Sequence, residues 1–268
     1  MVEFKMKVLA FYFSGTGNTA FVMQEMKRKF ATLKIDMEII NIEAYTEEDV
    51  QKIIDADRLI FAYPVYGSMS PMIMWRFVRS IGEHLRQKKT AVIATQLMAS
   101  GDGGAYLARV LRRSQADIFS IEHFNMPSNL VDVKLFKVKN GEENREKVEK
   151  TLRKIDAYCN NFAAGKFKKT GDGVGSMFLG ALQRNPFSKM ERKLSKKIHL
   201  HQSRCIGCEK CVAACPTQNL FYENGQLNQK GDCTLCYRCV NLCPQKAISI
   251  LSKKPPVKQY FGLEGPLK

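Results

Sequence analysis

Eight of the nine cysteines fall in two short runs, CIGCEKCVAACP from Cys205 to Pro216 and CTLCYRCVNLCP from Cys233 to Pro244. Both runs read C-x2-C-x2-C-x3-C-P, and the second begins 28 residues after the first. Three thiolates at this spacing can wrap one face of an iron-sulfur cubane. The fourth, carried away by the turn before proline, reaches the other cluster. The expected ligand sets are therefore crossed: Cys205, Cys208, Cys211 and Cys243 for cluster I, and Cys233, Cys236, Cys239 and Cys215 for cluster II. Structural zinc is the competing chemistry, but it usually takes two C-x-x-C pairs separated by a dozen residues or more rather than tight triplets. Ile206, Val212, Leu220, Leu235, Val240, Ile248 and Ile250 are expected to form the apolar shell that keeps water off the sulfurs. Cys159 sits in the helical pattern RKIDAYCNNF and reads as a helix residue of the core.

A second group of residues could hold an anion. Ser14-Gly15-Thr16-Gly17-Asn18-Thr19 separates an apolar run from a helical pattern. Its glycines allow close backbone approach, the helix start that follows offers N–H groups, and the three hydroxyls can donate to phosphate oxygens. No lysine or arginine lies in the loop, so it is not a Walker A motif. Gly15, Gly17 and Ala20 also satisfy G-x-G-x-x-A, with Glu43 at the end of the next strand, which keeps a dinucleotide open as an alternative; an empty structural turn is the bland one. The flanking hydroxyls suit a terminal phosphate better than a pyrophosphate.

These loops need a scaffold. Short apolar runs alternate with helical patterns over residues 6–162, which predicts a parallel sheet covered by helices on both faces. Strands are expected near 7–13, 37–42, 58–63, 90–95 and 118–124, and helices near 18–31, 46–54, 71–87, 103–115 and 142–162. That is an α/β, doubly wound, five-stranded parallel sheet of order 2-1-3-4-5, followed by a small C-terminal α+β module. Ligands of such sheets sit beyond the carboxyl ends of the strands. Two further loops leave that edge: Pro64-Val65-Tyr66-Gly67-Ser68-Met69 after strand three, and Thr95-Gln96-Leu97-Met98, continuing to Gly101, Gly103 and Gly104, after strand four. Tyr66 is either a ring-stacking residue or a surface turn tyrosine, and Trp75 reads as core or partner-facing. Asp102 is the sole acid of these loops, placed where it could cap a helix.

Of the formal net charge of +16, residues 1–144 carry +2, residues 145–204 carry +10 and residues 205–268 carry +4. The basic middle has no nucleic-acid-binding motif and few interleaved aromatics, so no nucleic-acid partner is expected. The expected division is 1–164 for the α/β domain, 165–200 for a glycine-containing basic linker, 201–252 for the cysteine module and 253–268 for a tail. The linker holds an apolar stretch, Met177 to Leu182, then a basic helix-like run. A membrane-surface helix has this composition, but a connector is the plainer interpretation and no membrane partner is expected. No apolar run approaches the roughly 20 residues of a spanning helix, and clustered cysteines suit a reducing, cytoplasmic compartment.

The loop Ser14–Thr19 resembles the flavodoxin phosphate loop, S/T-x-T-G-x-T, at all its key positions. The segment from Cys205 to Pro244 resembles the bacterial-type two-cluster ferredoxins in every ligand position. Together the chain resembles flavodoxin-ferredoxin fusion proteins. That resemblance implies FMN, with the loops after strands three and four around its ring, and two [4Fe-4S] clusters. It implies passage of low-potential electrons between clusters and flavin, with acidic redox proteins such as ferredoxins as partners. The alternative is an FMN-dependent reductase of a small electrophile (a quinone, a nitro compound or a porphyrin precursor) fed by the clusters. No catalytic residue is assigned, because His84, His123, His199 and His201 are scattered. One departure is charge: flavodoxins are commonly acidic, and residues 1–144 are not.

Overall fold

The computed structural model describes residues 6–263 except 134, 137 and 140. Its residues divide into two compact units that do not follow chain order. The first gathers residues up to Ser14, Asn18–Met126 and Glu146–Arg184, and the second gathers Gly15–Gly17, Pro127–Arg145 and residues from Asn185 onward.

The first unit is built on β1 (Met6–Tyr12), α1 (Asn18–Thr32), β2 (Ile35–Asn41), α2 (Val50–Asp55), β3 (Arg58–Pro64), α3 (Met72–Ser80), β4 (Lys89–Gln96), α4 (Gly103–Arg113), β5 (Asp117–Asn125) and α5 (Arg145–Ala163). All five strands are parallel in the order β2-β1-β3-β4-β5. The central strands β1, β3 and β4 are buried almost throughout, as both faces of a parallel sheet must be under helices. The outer strand β2 alternates buried and exposed residues at its start. On one face Phe30 of α1 meets Phe162 of α5 at 4.9 Å between ring centres. On the other, Phe77 of α3 packs on Phe11 of β1 at 5.1 Å. Register brings the strand ends level, with Pro64 beside Thr95 and Gln96 beside Asn125, so the loops after β3 and β4 leave the same edge. Strand order reverses between β1 and β3, which makes that edge the crevice of this sheet type.

Most of the stretch expected as a linker is helical. α6 runs from Val174 to Lys196 with Pro186 inside it, and proline's missing N–H and ring clash explain why composition argued against a continuous helix. Gly180 of its apolar stretch is buried, whereas Phe178 and Leu182 are exposed.

The second unit contains β6 (His199–Leu200), α7 (Lys210–Ala213), β7 (Leu220–Glu223), β8 (Gln226–Gln229), α8 (Arg238–Leu242) and β9 (Ile248–Ser249), with β6 paired to β9 and β7 to β8. Its core holds Leu220, Leu235, Val240, Ile248 and Ile250. Of the expected apolar shell, Val212 packs only at the margin and Ile206 is 62% exposed, because the first residue after Cys205 faces outward. Segment 127–133 joins this unit through Asp132, whose carboxylate accepts from Tyr237 Oη at 2.6 Å and from the backbone N–H groups of Ile250 and Leu251 at 2.7 and 2.8 Å. The tail contributes too: Gln259 Nε2 donates to the carbonyls of Val240 and Cys243, and Tyr260 is fully buried.

Candidate functional site

In the first unit, the turn between β1 and α1 is held by Ala20 N–H donating to Ser14 Oγ at 3.2 Å. Thr19 is fully buried, and its hydroxyl lies 2.8 Å from that of Thr95. Thr95 in turn donates to the carbonyl of Tyr63 at 3.4 Å. The Thr19 proton is thus drawn into a chain toward β3, which ties the start of α1 to the end of β4. Within the second unit, Thr16 Oγ1 accepts from Asn129 Nδ2 at 2.8 Å and the Gly15 carbonyl accepts from Arg238 Nε at 3.2 Å. An accepting hydroxyl keeps its own proton to donate.

The loop after β3 closes as a tight turn. Tyr66 and Met69 exchange backbone hydrogen bonds of 2.9 and 3.0 Å, and Gly67 and Ser68 between them both have positive φ, 52° and 63°. This is the two-residue turn that needs left-handed backbone at both centres. Tyr66 is half-buried beside it. Trp75 is also half-buried, with the Arg79 guanidinium 4.6 Å from its ring.

The loop after β4 runs from half-buried Gln96 and Leu97 through exposed Met98 to Asp102, which is fully buried. Asp102 makes no side-chain cap to α4. Its carboxylate is instead paired with Arg109 and, at 2.9 Å, with Arg184 of α6. Arg184 also donates to the Ser68 carbonyl at 3.2 Å, and the next residue back, Gln183, accepts from Ser68 Oγ at 2.6 Å. The start of α6 therefore fastens both loops, a role that no local pattern announces. The fit is close, since a Cβ at Gly180 would run into the Asp102 carboxylate. At the start of α4, Gly104 N–H donates to Nε2 of His123 at 3.0 Å, and burial pushes the His123 pKa down to about 4. Cys159 is buried, and desolvation pushes its thiol up to about 12, as for an inert core residue.

In the second unit the thiols of the two runs lie close enough for their charges to act on one another. Burial raises the Cys211 thiol to about 11, with charge from Cys243, Cys205 and Cys208 adding to it. Burial raises Cys233 to about 12, with Cys236 and Cys215 adding. Cys239 is raised by burial and then by Cys236, Cys233, Cys215 and Cys211. Among the described residues no three His, Cys, Asp or Glu side chains form a group for one metal ion. Backbone N–H groups already face the sulfurs: Asn219 to Cys215 and Ala247 to Cys243, both at 3.2 Å, and Leu235 to Cys233 at 3.4 Å. Cys215, Cys233, Cys236 and Cys239 also line one recess. A soft, four-sulfur donor set with N–H groups aimed at it is the environment an iron-sulfur cluster requires.

The flavodoxin domain family matches residues 9–203, nearly three quarters of the chain. The chain belongs to the flavodoxin family. Residues 204–247 match the 4Fe-4S dicluster domain family, so a ferredoxin domain follows the flavodoxin domain. The ferredoxin of Methanothermococcus thermolithotrophicus is 32% identical over 57 residues, 95% of that protein and 20% of this chain. The ferredoxin of Pyrobaculum islandicum is 41% identical over 63 residues, covering 23% of this chain and 59% of that one. NAD(P)H-quinone oxidoreductase subunit I of Gloeobacter violaceus is 27% identical over 122 residues, 38% of this chain and 57% of that one. The chain thus spans little more than half of the last two. Among solved structures, the FMN-bound flavodoxin of Fusobacterium nucleatum is similar at 17% identity and a TM-score of 0.41, over 61% of this chain and 99% of that one. A flavodoxin and a dicluster ferredoxin domain on one chain suggest electron transfer. Among the described residues no helix is long and apolar enough to cross a membrane.

Proposed function

We propose that the protein passes low-potential electrons between two [4Fe-4S] clusters and FMN. The observation that carries this is the recess lined by Cys215 of the first run with Cys233, Cys236 and Cys239 of the second, and the backbone N–H groups on Cys215, Cys233 and Cys243, in a chain whose sheet edge bears the hydroxyl-rich loop. Cys205, Cys208, Cys211 and Cys243 would hold one cluster and Cys215, Cys233, Cys236 and Cys239 the other. Ser14 and Thr16 would hold the flavin phosphate, with the turns at Tyr66–Met69 and Thr95–Gly104 around the ring. When bound, the clusters supply one-electron chemistry and the flavin accepts one electron or two.

The residues of the flavin edge favour a carrier over a reductase of small electrophiles. A reductase that protonates its substrate needs a poised acid near the flavin. Asp102, the sole acid of these loops, is committed to Arg109 and Arg184, and Tyr63 is fully buried with its hydroxyl donating to the Gly103 carbonyl. Exposed Arg192, Lys193, Lys196 and Lys197 in the basic segment supply a positive surface for acidic redox proteins. Clustered free thiols suit a reducing, cytoplasmic setting.

Anaerobic purification with iron, acid-labile sulfide and flavin measured per chain tests the proposal. Both cofactor types on one chain, with flavin reduction by dithionite-reduced clusters, is the expected result. A chain that takes up zinc and no flavin would overturn it.

A further inference from the structure

The two cysteine runs are repeats in backbone as well as sequence. Glu209 and Tyr237 occupy matching places with φ of 52° and 62°, as do Gln218 and Lys246 with 50° and 52°. The N–H of Asn219 reaches Cys215 Sγ at the same 3.2 Å as the N–H of Ala247 reaches Cys243. Among the matched positions whose side chains differ in kind, two bear on the sulfurs. Ile206 after Cys205 becomes Thr234 after Cys233, and Ala247 becomes Asn219. Under crossed ligation both apolar members belong to cluster I and both polar members to cluster II.

The polar pair is buried and shares a recess with the cluster II cysteines. Asn219 is 1% exposed and Thr234 3%, and both line the recess formed by Cys215, Cys233, Cys236 and Cys239. The Asn219 side-chain carbonyl accepts from the N–H groups of Gly231 and Asp232 at 2.8 and 2.7 Å, which fixes the amide and commits its oxygen. That Nδ2 and Thr234 Oγ1 have no hydrogen-bond partner among the described residues. Buried donors without acceptors are costly, so two in one recess point to an acceptor there. Thr217 differs, because it donates to the Asp232 carbonyl at 2.7 Å.

We propose that Thr234 and Asn219 are positioning residues that donate hydrogen bonds to cluster II and raise its reduction potential, an effect the repeat withholds from cluster I. A donor to cluster sulfur stabilises the more negative, reduced state. The inference rests on the two-cluster reading above and adds an assignment of which side chains set one cluster apart.

The test is an anaerobic redox titration of the full chain followed by electron paramagnetic resonance, with iron and sulfide measured on the same samples. Thr234→Val is the clean variant, since it keeps shape and breaks no bond within the protein. It should favour the oxidised form of cluster II by roughly threefold to tenfold, tenfold being 59 mV for a one-electron couple. Cluster I should not move, and Thr234→Ser should restore the native value. If Thr234→Val does not retain its iron, Ala247→Asn decides by whether it raises the potential of cluster I. Full iron with cluster II unmoved in Thr234→Val would overturn the inference and leave the electron-transfer proposal standing. An unmodified chain that binds no iron would overturn the proposal beneath it.

Discussion

The guanidinium of Arg184 lies 2.9 Å from the carboxylate of Asp102, in a helix that starts ten residues earlier and a loop far away in sequence. Asp102 is fully buried, so it depends on its two arginines for charge compensation. Breaking a buried pair from one side costs about 3–5 kcal/mol, and less where a second cation remains. Arg184 also holds the carbonyl of Ser68. The pair is therefore the point at which α6 fixes both loops expected around the flavin ring.

Gly180→Ala tests that role against helix propensity. Alanine is a better helix former than glycine by about 1 kcal/mol, so a helix with no other duty would gain stability. Here the added Cβ would meet the Asp102 carboxylate. The expected outcome is flavin retention weakened by about tenfold, or 1.4 kcal/mol, read by fluorescence on titrating FMN into the apoprotein. Unchanged affinity would remove α6 from the flavin site.

The released flavin should be FMN. Thr16 is buried, and its hydroxyl is fixed by Asn129 with its proton left to donate. Thr16→Glu would set like charge against a phosphate and should abolish flavin binding while leaving iron content intact. Chromatography of the extracted cofactor checks the identity, and FAD as sole flavin would count against a terminal phosphate in this loop.

The iron content should be about eight atoms per chain with eight acid-labile sulfides, from two four-thiolate sets. Cys215→Ser should then damage cluster II, though Cys215 belongs to the first run. Loss of the cluster I signal alone would contradict crossed ligation.

Much of this was legible because the signals are local. A doubled run of four cysteines announces the dicluster ferredoxin domain that residues 204–247 match, and buried parallel strands specify themselves by unbroken apolar runs, so all five strands fall within about two residues of expectation. The order 2-1-3-4-5 matches as well. What escaped depends on distant partners. Pro186 and five glycines between 165 and 180 make α6 look like a connector, and only its contacts with Ser68, Ala99 and Asp102 give its first half a surface to fold on. Asp132 binds backbone groups more than a hundred residues away, and nothing in NLVDVK marks it. The contact of the Thr19 hydroxyl with Thr95, 76 residues away, is likewise set by a neighbouring element and not by the loop's own sequence.

His123 gives a pH prediction. Its ordinary pKa of 6.5 falls to about 4 through burial, and its Nε2 accepts from Gly104 N–H, so the fold favours the neutral ring. The stability this contributes is present above pH 6.5 and is lost as pH falls toward 4, where the ring protonates and must face an N–H donor. The loss is of order 3 kcal/mol over that window, at 1.36 kcal/mol per unit. Denaturant unfolding at pH 7 and pH 5 should differ in the native chain, and His123→Gln, lower in stability at pH 7, should show a flatter profile. A native profile flat between pH 7 and 4.5 would refute the assignment.

The basic segment predicts how a partner is met. Residues 145–204 hold +10 of the +16, and Lys193, Lys196 and Lys197 are exposed. A positive surface raises the encounter rate of an acidic redox protein, and salt screens the effect. If these cations only solvate a helix, electron exchange with a partner will be indifferent to salt. If they steer, the second-order rate with an acidic ferredoxin should fall as ionic strength rises from about 0.01 to 0.5 M, over which the Debye length shrinks from about 30 Å to a few Å. Stopped-flow absorbance at the flavin and cluster bands measures that rate directly. Replacing the three lysines together with glutamine should lower the low-salt rate several-fold and flatten the salt dependence, with iron and flavin content unchanged. Because steered association changes the on-rate more than the complex itself, the native and substituted chains should converge at high salt. Curves that stay parallel at every ionic strength would show that these lysines act on the complex by contact rather than through their field.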